Sequence, residues 1–383
     1  MTVTDYNAMA EGDFRRMLRA FIAAEYPPAL AHLPRRLHWP EIRDWSLTLS
    51  RQGWLAPAWP VEHGGMGLDA GKLLAYHDEF DRAGVARAPD QGIVMLGMLL
   101  LRFGTEEQKR HYLPRILSWE DIWCQGYSEP GAGSDLASLR TMAVDDGDAW
   151  VVSGQKTWTT LAQDATDIFL LARTDPAAKK QEGISFLLVR MDTPGLTVRP
   201  IRTLSGEEEF CEVFLDEVRV PKRNIVGRVN QGWSVAKALL GFERLNIGSP
   251  KASQVALSRL AALGRQVGGL ADAGSLDAYT RLHLDVEDLI TTYGRFADRL
   301  KRGGTLGPET SILKLWGTET HQRITERMVE LAQEQGVMEG PAAFGAERID
   351  VLANYYLARA GTIYGGSNEV QRNILAKSVL GLP

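Results

Sequence analysis

The feature that most constrains this chain is that its hydrophobic period changes twice along 383 residues. Near the start, Phe14, Met17, Leu18, Phe21 and Ile22 recur at helical spacing and predict a helix that buries one face. Ala70–Arg82 and Thr105–Leu117 read the same way, and the Gly- and Pro-rich stretch Trp54–Leu68 reads as a loop before them. From 121 to 228 the pattern switches to AWVVSGQKTWTT, DIFLLART, GISFLLVRM, LTVRPI and CEVFLDEVRVP, short runs of Val, Ile, Leu and Phe separated by Asp, Gly and Pro. Such runs predict several strands at short spacing, a small barrel or sandwich. Helical spacing then returns: Val286, Leu289, Ile290, Tyr293, Ala297 and Leu300 form one stripe, Ser311–Glu334 and Ile349–Arg359 look alike, and Gly303–Pro308 is a loop. The expected class is α+β: a helical domain over 1–120, a β domain over 121–228 and a helical bundle over 229–383.

Charge and cysteine content narrow the function classes. Lys and Arg total 43 against 48 Asp and Glu, so no basic excess points to nucleic acid or an anionic membrane. Two cysteines, Cys124 and Cys211, make no disulfide framework and fit a reducing cytoplasm. Asp5, Glu11 and Asp13 near the start, without an apolar run, argue against a secretory signal, and Ile93–Leu101 is too short to span a bilayer. His63, His77, His111 and His283 have no metal-ligand partners at useful spacing, so no metal site is expected. No Walker or Rossmann fingerprint occurs.

Two segments carry chemistry. Gln125–Asp135, QGYSEPGAGSD, combines glycines that let a backbone approach a ligand with the hydroxyls of Ser128 and Ser134. Alone it reads equally as a surface turn. Gly154–Thr160, GQKTWTT, places Trp158 in a strand-like run, where an indole can stack on a flat cofactor or fill a sheet core. Together, S-E-P-x-A-G-S-D followed by G-x-K-x-W-x-T closely resembles the flavin-binding β domain of the acyl-CoA dehydrogenase family. GWLAPAWPVEHGGMGL and LRFGTEEQKRHYLPRIL resemble that family's N-terminal helical domain, and IYGGSNEVQRNILAKSVLGL its C-terminal flavin and substrate segment. The resemblance covers nearly the whole chain. It looks closest to bacterial subgroups such as the large subunit of pimeloyl-CoA dehydrogenase and the dehydrogenases of steroid side-chain breakdown.

The resemblance implies FAD-dependent α,β-dehydrogenation of an acyl-CoA thioester in lipid degradation, with electrons passed to an external electron-transfer flavoprotein. It implies that Gln125, Tyr127 and Ser128 lie along the flavin, that Ser134 touches the thioester ligand or the cofactor, and that Trp158 and Thr160 contact the isoalloxazine ring. Ser367, Asn368 and Glu369 would approach the rest of FAD, and Gly366 the substrate. The reaction needs a carboxylate to take the α proton and donors to hold the carbonyl oxygen.

Many family members carry that carboxylate in a Tyr-Glu-Gly sequence, but this chain reads Tyr364-Gly365-Gly366. A minority place the base in an earlier Glu-Arg pair, here Glu243-Arg244, and keep a small residue at the vacated position. Glu243 follows Leu239 and Leu240 on an apolar face. An exposed Glu-Arg pair is ordinarily only a solvated ion pair, yet with Gly365 opposite it Glu243 is the expected base. The Gly365 backbone N–H is then a carbonyl donor, and Arg244 holds the electrostatics or the ligand. The Arg-x-x-Phe-Gly sequence of many homomeric members is missing from GRQVGGLADAGSLDAYTRL, and QxxGGxG is blurred into QEQGVMEG. The assembly is therefore left open between a homodimer or homotetramer and an α2β2 heteromer with a related subunit. Two rival functions remain: an acyl-CoA oxidase with the same site, and a partner subunit without its own base.

Overall fold

A computed structural model describes residues 4–33, 35–238, 248–345 and 347–382. The chain divides into two compact units, Met1–Leu239 and Leu240–Pro383. In the first unit, helices α1 (Glu11–Glu25), α2 (Trp39–Gln52) and α3 (Ala70–Arg82) bury Phe14, Leu18, Ile22, Trp45, Trp54 and Tyr76 against one another. Phe14, Leu18 and Ile22 are the stripe expected at helical spacing. The loop between α2 and α3 carries Trp59, whose indole N–H donates to the Ile93 carbonyl at 3.0 Å. The apolar run that holds Ile93 begins as a widened π turn, Gly92–Gly97, before α4 (Met98–Phe103), and a side chain at Gly97 would collide with the Trp59 ring.

Helix α5 (Glu106–Leu117) opens on a reciprocal cap, with the Gln108 N–H donating to Thr105 Oγ1 at 3.2 Å and the Thr105 N–H to Gln108 Oε1 at 3.1 Å. The Gln108 amide also donates to the carbonyls of Arg223 and Ile225 at 2.9 and 2.8 Å, so the cap ties α5 to the chain leaving the sheet.

The sheet holds β1 (Trp123–Gly126), β2 (Met142–Asp146), β3 (Ala149–Thr160), β4 (Asp167–Arg173), β5 (Ile184–Arg190), β6 (Leu196–Ile201) and β7 (Phe210–Pro221). Their order is β1-β4-β2-β3-β7-β6, with β5 paired to β4. All five apolar runs expected as strands are strands. The two short ones, β1 and β2, lie in stretches too brief or too polar to show the period. Cys124 and Cys211 are free and packed in the sheet's core with Val152, Ile168 and Val213.

In the second unit, α6 (Lys251–Gln266), α7 (Ala273–Lys301), α8 (Ser311–Ala332) and the start of α9 (Val351–Gly361) pack around Leu260, Leu263, Val286, Ile324 and Met328, and α10 (Asn368–Ser378) packs against α8. One expectation needs correcting. Ile349 belongs not to a helix but to a small hairpin of β8 (Ala342–Phe344) and β9 (Glu347–Ile349). Helix α9 begins after it because Asp350 accepts from the Ala353 N–H at 2.9 Å and caps the first turn.

Candidate active site

The two chemistry-bearing segments meet in the first unit. Strand β1 brings Gln125 beside Phe169 of β4, half-buried, and the chain then leaves the sheet as a turn over 127–135. Strand β3 passes under that turn, and the Thr157 N–H donates to the Ser128 carbonyl at 2.9 Å. The register of β3 against β7 breaks between Lys156 and Thr159, where Thr157 and Trp158 together face Glu212. This bulge turns Trp158 out of the sheet, with φ at 59°. A bulky residue in the left-handed region is strained. Trp158 nonetheless stays 58% exposed, touching Phe210 edge-on at 6.1 Å between centroids. A tryptophan serving the sheet core would lie inward; this one presents its face outward.

What holds the strained segment is a buried ion pair. Lys156, fully buried, donates from Nζ to Glu129 Oε1 at 2.8 Å and to the Tyr127 carbonyl at 3.3 Å. Glu129 Oε1 also accepts from the Thr141 backbone N–H at 3.0 Å, and its Oε2 from the Arg140 N–H at 2.6 Å. Burial drives the Lys156 ammonium down to about 8, with Glu129 opposing the fall. Burial also works against the Glu129 charge, yet Lys156 and the backbone donors hold its carboxyl below the usual range. Glu129 and Lys156 thus staple the turn to the bulge. Both stood inside the two motifs, and the one lysine of GQKTWTT facing the acids of QGYSEPGAGSD was the signal that could have revealed them.

The remaining residues of this region separate by exposure. Ser128 and Thr160 are half-buried beside Trp158's segment, while Ser134 is exposed at the end of the turn. A side chain at Gly131 or Gly133 would meet nothing, so the turn leaves open space above it. The Tyr127 ring is buried edge-on to Phe169 and Phe186 at 6.0 and 6.4 Å, so only its backbone borders that space. A flat exposed indole, two hydroxyls and an open glycine turn suit a flat heteroaromatic ring with polar edges.

In the second unit, Tyr364-Gly365-Gly366 forms a turn into α10. Gly365 and Gly366 have φ of 63° and 80°, the left-handed region glycine tolerates. The buried Gln371 amide donates to the carbonyls of both glycines at 3.2 Å. Ser367 caps α10, and Glu369 is exposed in its first turn. The Glu369 backbone N–H and the Ser367 hydroxyl hold that carboxyl below the usual range. The Asn368 side chain is buried and committed inward: its Oδ1 accepts from Lys314 Nζ at 2.7 Å, and its Nδ2 donates to Glu319 Oε1 at 2.9 Å. Ser367, Asn368, Glu369, Gly365 and Gly366 therefore share one turn. Glu243 and Arg244 lie outside the described residues; the helix that opens at 232 is described as far as 238. Among the described residues no three His, Cys, Asp or Glu side chains converge to hold a metal, and no described helix is long and apolar enough to cross a membrane.

Three family models match the chain in order: the acyl-CoA dehydrogenase N-terminal domain over residues 10–120, the middle domain over 124–218 and the C-terminal domain over 230–380. The chain belongs to the acyl-CoA dehydrogenase family. It is 38% identical to acyl-CoA dehydrogenase IpdE1 of Mycobacterium tuberculosis, with 97% of each chain covered. Among solved structures, a steroid acyl-CoA dehydrogenase described as Tcur3481-Tcur3483 superposes with a TM-score of 0.88 at 30% identity, covering 99% of this chain and 100% of that one. The ChsE4-ChsE5 complex from M. tuberculosis superposes with a TM-score of 0.82 at 34% identity, covering 97% of each chain. The three-part architecture of the acyl-CoA dehydrogenase family is the one seen here: helices, a curled sheet, and helices again.

Proposed function

We propose that this acyl-CoA dehydrogenase family member removes the α proton and β hydride of an acyl-CoA thioester with FAD as its cofactor, giving the trans-2-enoyl-CoA. The observation that carries the reading is Trp158, turned outward on a strained bulge that a buried ion pair holds in place. Such strain persists only where surrounding structure enforces it and is typical of ligand sites. Trp158 and Thr160 would hold the flavin ring, Gln125, Tyr127 and Ser128 would line it through side chain or backbone, and Ser134 would reach the cofactor or the thioester. Ser367 and Glu369 would approach the rest of FAD from the start of α10. When bound, FAD supplies the acceptor for the β hydride.

The chain's own residues supply the acid–base work. Glu243 takes the α proton, as the vacancy at Gly365 requires of some other carboxylate. A carboxylate beside an apolar acyl chain has its pKa raised toward a working value. The Gly365 N–H donates to the thioester carbonyl oxygen, where negative charge grows as the proton leaves; removing one such donor typically costs on the order of 100- to 1000-fold in rate. Gly366 borders the same oxygen without a side chain in the way, and Arg244 steadies the ligand.

The solved relatives named Tcur3481-Tcur3483 and ChsE4-ChsE5 are each two-component assemblies. They favour an α2β2 heteromer with a related subunit over a homodimer or homotetramer. The relative named a steroid acyl-CoA dehydrogenase favours a bulky steroid-tail acyl group over a straight chain, and we take the electron acceptor to be an electron-transfer flavoprotein in the cytoplasm. Anaerobic bleaching of the yellow protein by a panel of straight-chain, branched and steroid-side-chain acyl-CoA thioesters tests this. Bleaching by one class supports the reading; a colourless chain even with added FAD would make it a partner subunit. Peroxide released on substrate addition in air would make it an oxidase.

A further inference from the structure

The turn that carries Gly365 rests on a buried cation. Lys314 of α8 is fully buried, yet the partner its Nζ has at 2.7 Å is an amide oxygen, Asn368 Oδ1, rather than a carboxylate. Asn368 opens α10 directly behind Gly365-Gly366-Ser367, and its own N–H donates to the Thr362 carbonyl at 2.9 Å, closing the turn from the other side. Its Nδ2 is shared between Thr318 Oγ1 at 3.2 Å and Glu319 Oε1 at 2.9 Å, so the amide cannot rotate without breaking bonds. Gln371, one turn further along α10, holds the carbonyls of Gly365 and Gly366. A side chain at Gly366 would meet the Gln371 nitrogen at 2.6 Å, so glycine and amide fit closely.

We propose that Lys314 is a positioning residue: through Asn368, and with Gln371, it fixes the Gly365–Gly366 turn and so aims the Gly365 N–H at the thioester carbonyl. This rests on the reading of Gly365 as a carbonyl donor. A lysine that only filled space would be replaced by an apolar residue at no loss, since burying a charge without a counter-ion is costly. The charged groups that act on Lys314 are Glu369 of α10 and Glu319 of α8, which both favour its ammonium form, against a burial that brings it down to about 8. Arg372 of α10 is bound to Glu319 at 2.6 Å, and Glu309, in the turn before α8, to Arg299 at 2.7 Å. Helix α6 meets α8 beside this point through an uncharged group, Ser253, which donates to the Gly317 carbonyl. Loss of the proton weakens a charge-assisted bond to Asn368 and removes the pull of both carboxylates.

The test is the rate of anaerobic flavin reduction in the holoenzyme between pH 6 and 10, using the acyl-CoA that reduces the wild type fastest. Amide exchange of segment 362–371 at pH 7 is measured beside it. Displacement of a reacting group by about 1 Å can cost on the order of a hundredfold, so Lys314→Met should lower kcat by about ten- to a hundredfold with little change in KM. Exchange in 362–371 should accelerate, and Lys314→Arg should restore both. The wild-type rate should fall along an alkaline limb that Lys314→Arg moves upward and Glu319→Gln moves downward. A limb unmoved in both variants, or a wild-type rate in Lys314→Met, overturns the proposal. If Lys314→Met does not fold, Glu319→Gln alone decides. Failure of the wider reading shows differently: Glu243→Gln would then keep reducing flavin whatever Lys314 does.

Discussion

The molecule buries two lysines under its two motif-bearing turns and treats them differently. Lys156 in the sheet faces the carboxylate of Glu129, whereas Lys314 in the bundle faces the amide of Asn368. Burial brings both ammonium groups down to about 8. The first is a closed ion pair, which resists disturbance but leaves a stranded charge if either member is lost. The second is a charge held by dipoles and more distant acids, which is cheaper to remove. The comparison teaches that the strained indole platform is locked by a full ion pair, while the glycine turn is held by a single charge-assisted bond to an amide.

The largest effect expected is at the sheet pair. Lys156→Met leaves Glu129 buried without its counter-ion and should destabilise the protein by about 3–5 kcal/mol, with loss of bound flavin. The double variant Glu129→Gln/Lys156→Met should recover most of that in denaturant unfolding. A double variant no better than the single one would show that the pair acts by something other than charge neutralisation.

Next comes the bundle. Lys314→Met strands no carboxylate and leaves the Asn368 amide oxygen the longer Thr318 hydroxyl contact at 3.4 Å, so its cost in the same unfolding experiment should be smaller, about 1–3 kcal/mol. A loss equal to that of Lys156→Met would erase the distinction drawn between the two sites.

The pH dependence sharpens it further. For both lysines the folded value, about 8, lies below the ordinary value of 10.5. Between those two pH values the unfolded chain binds the proton and the folded chain does not, so stability rises with pH across that window. Wild-type protein should therefore gain stability relative to Lys314→Met between pH 8 and 10. No relative gain would mean that Lys314 is not depressed in the fold.

The smallest stability effect is at Trp158. Trp158→Phe keeps an exposed ring in the same strained backbone and should change stability by less than about 0.5 kcal/mol. It should still shift the visible spectrum of bound flavin. An unchanged spectrum would place the ring elsewhere.

Much of this was legible in the sequence because period and burial coincide. The stripe Phe14–Leu18–Ile22 shows which face of its helix is inward, the apolar runs of β3 to β7 show where strands lie, and the motifs at 125–135 and 154–160 lie together. The outward turn of Trp158 was not legible, because a bulge is a matter of register between distant strands. The hairpin at 342–349 escaped for a similar reason: strands of three residues are too short to display a period. Lys314 gave no warning either. It sits between Leu313 and Leu315 in a helical run, and only the packing of α10 against α8 supplies its bond to Asn368. Glu243 was reached through a vacancy at Gly365, two positions far apart in the chain.

The most direct test of the account is therefore the FAD-loaded Glu243→Gln variant, mixed anaerobically with the acyl-CoA that bleaches the wild type. The account predicts a protein that stays yellow, with flavin still bound and reduction slowed by at least about a thousandfold, beyond the roughly 100- to 10000-fold range's lower end for a lost general base. Bleaching at the wild-type rate would contradict it and send the search for the proton acceptor to another carboxylate.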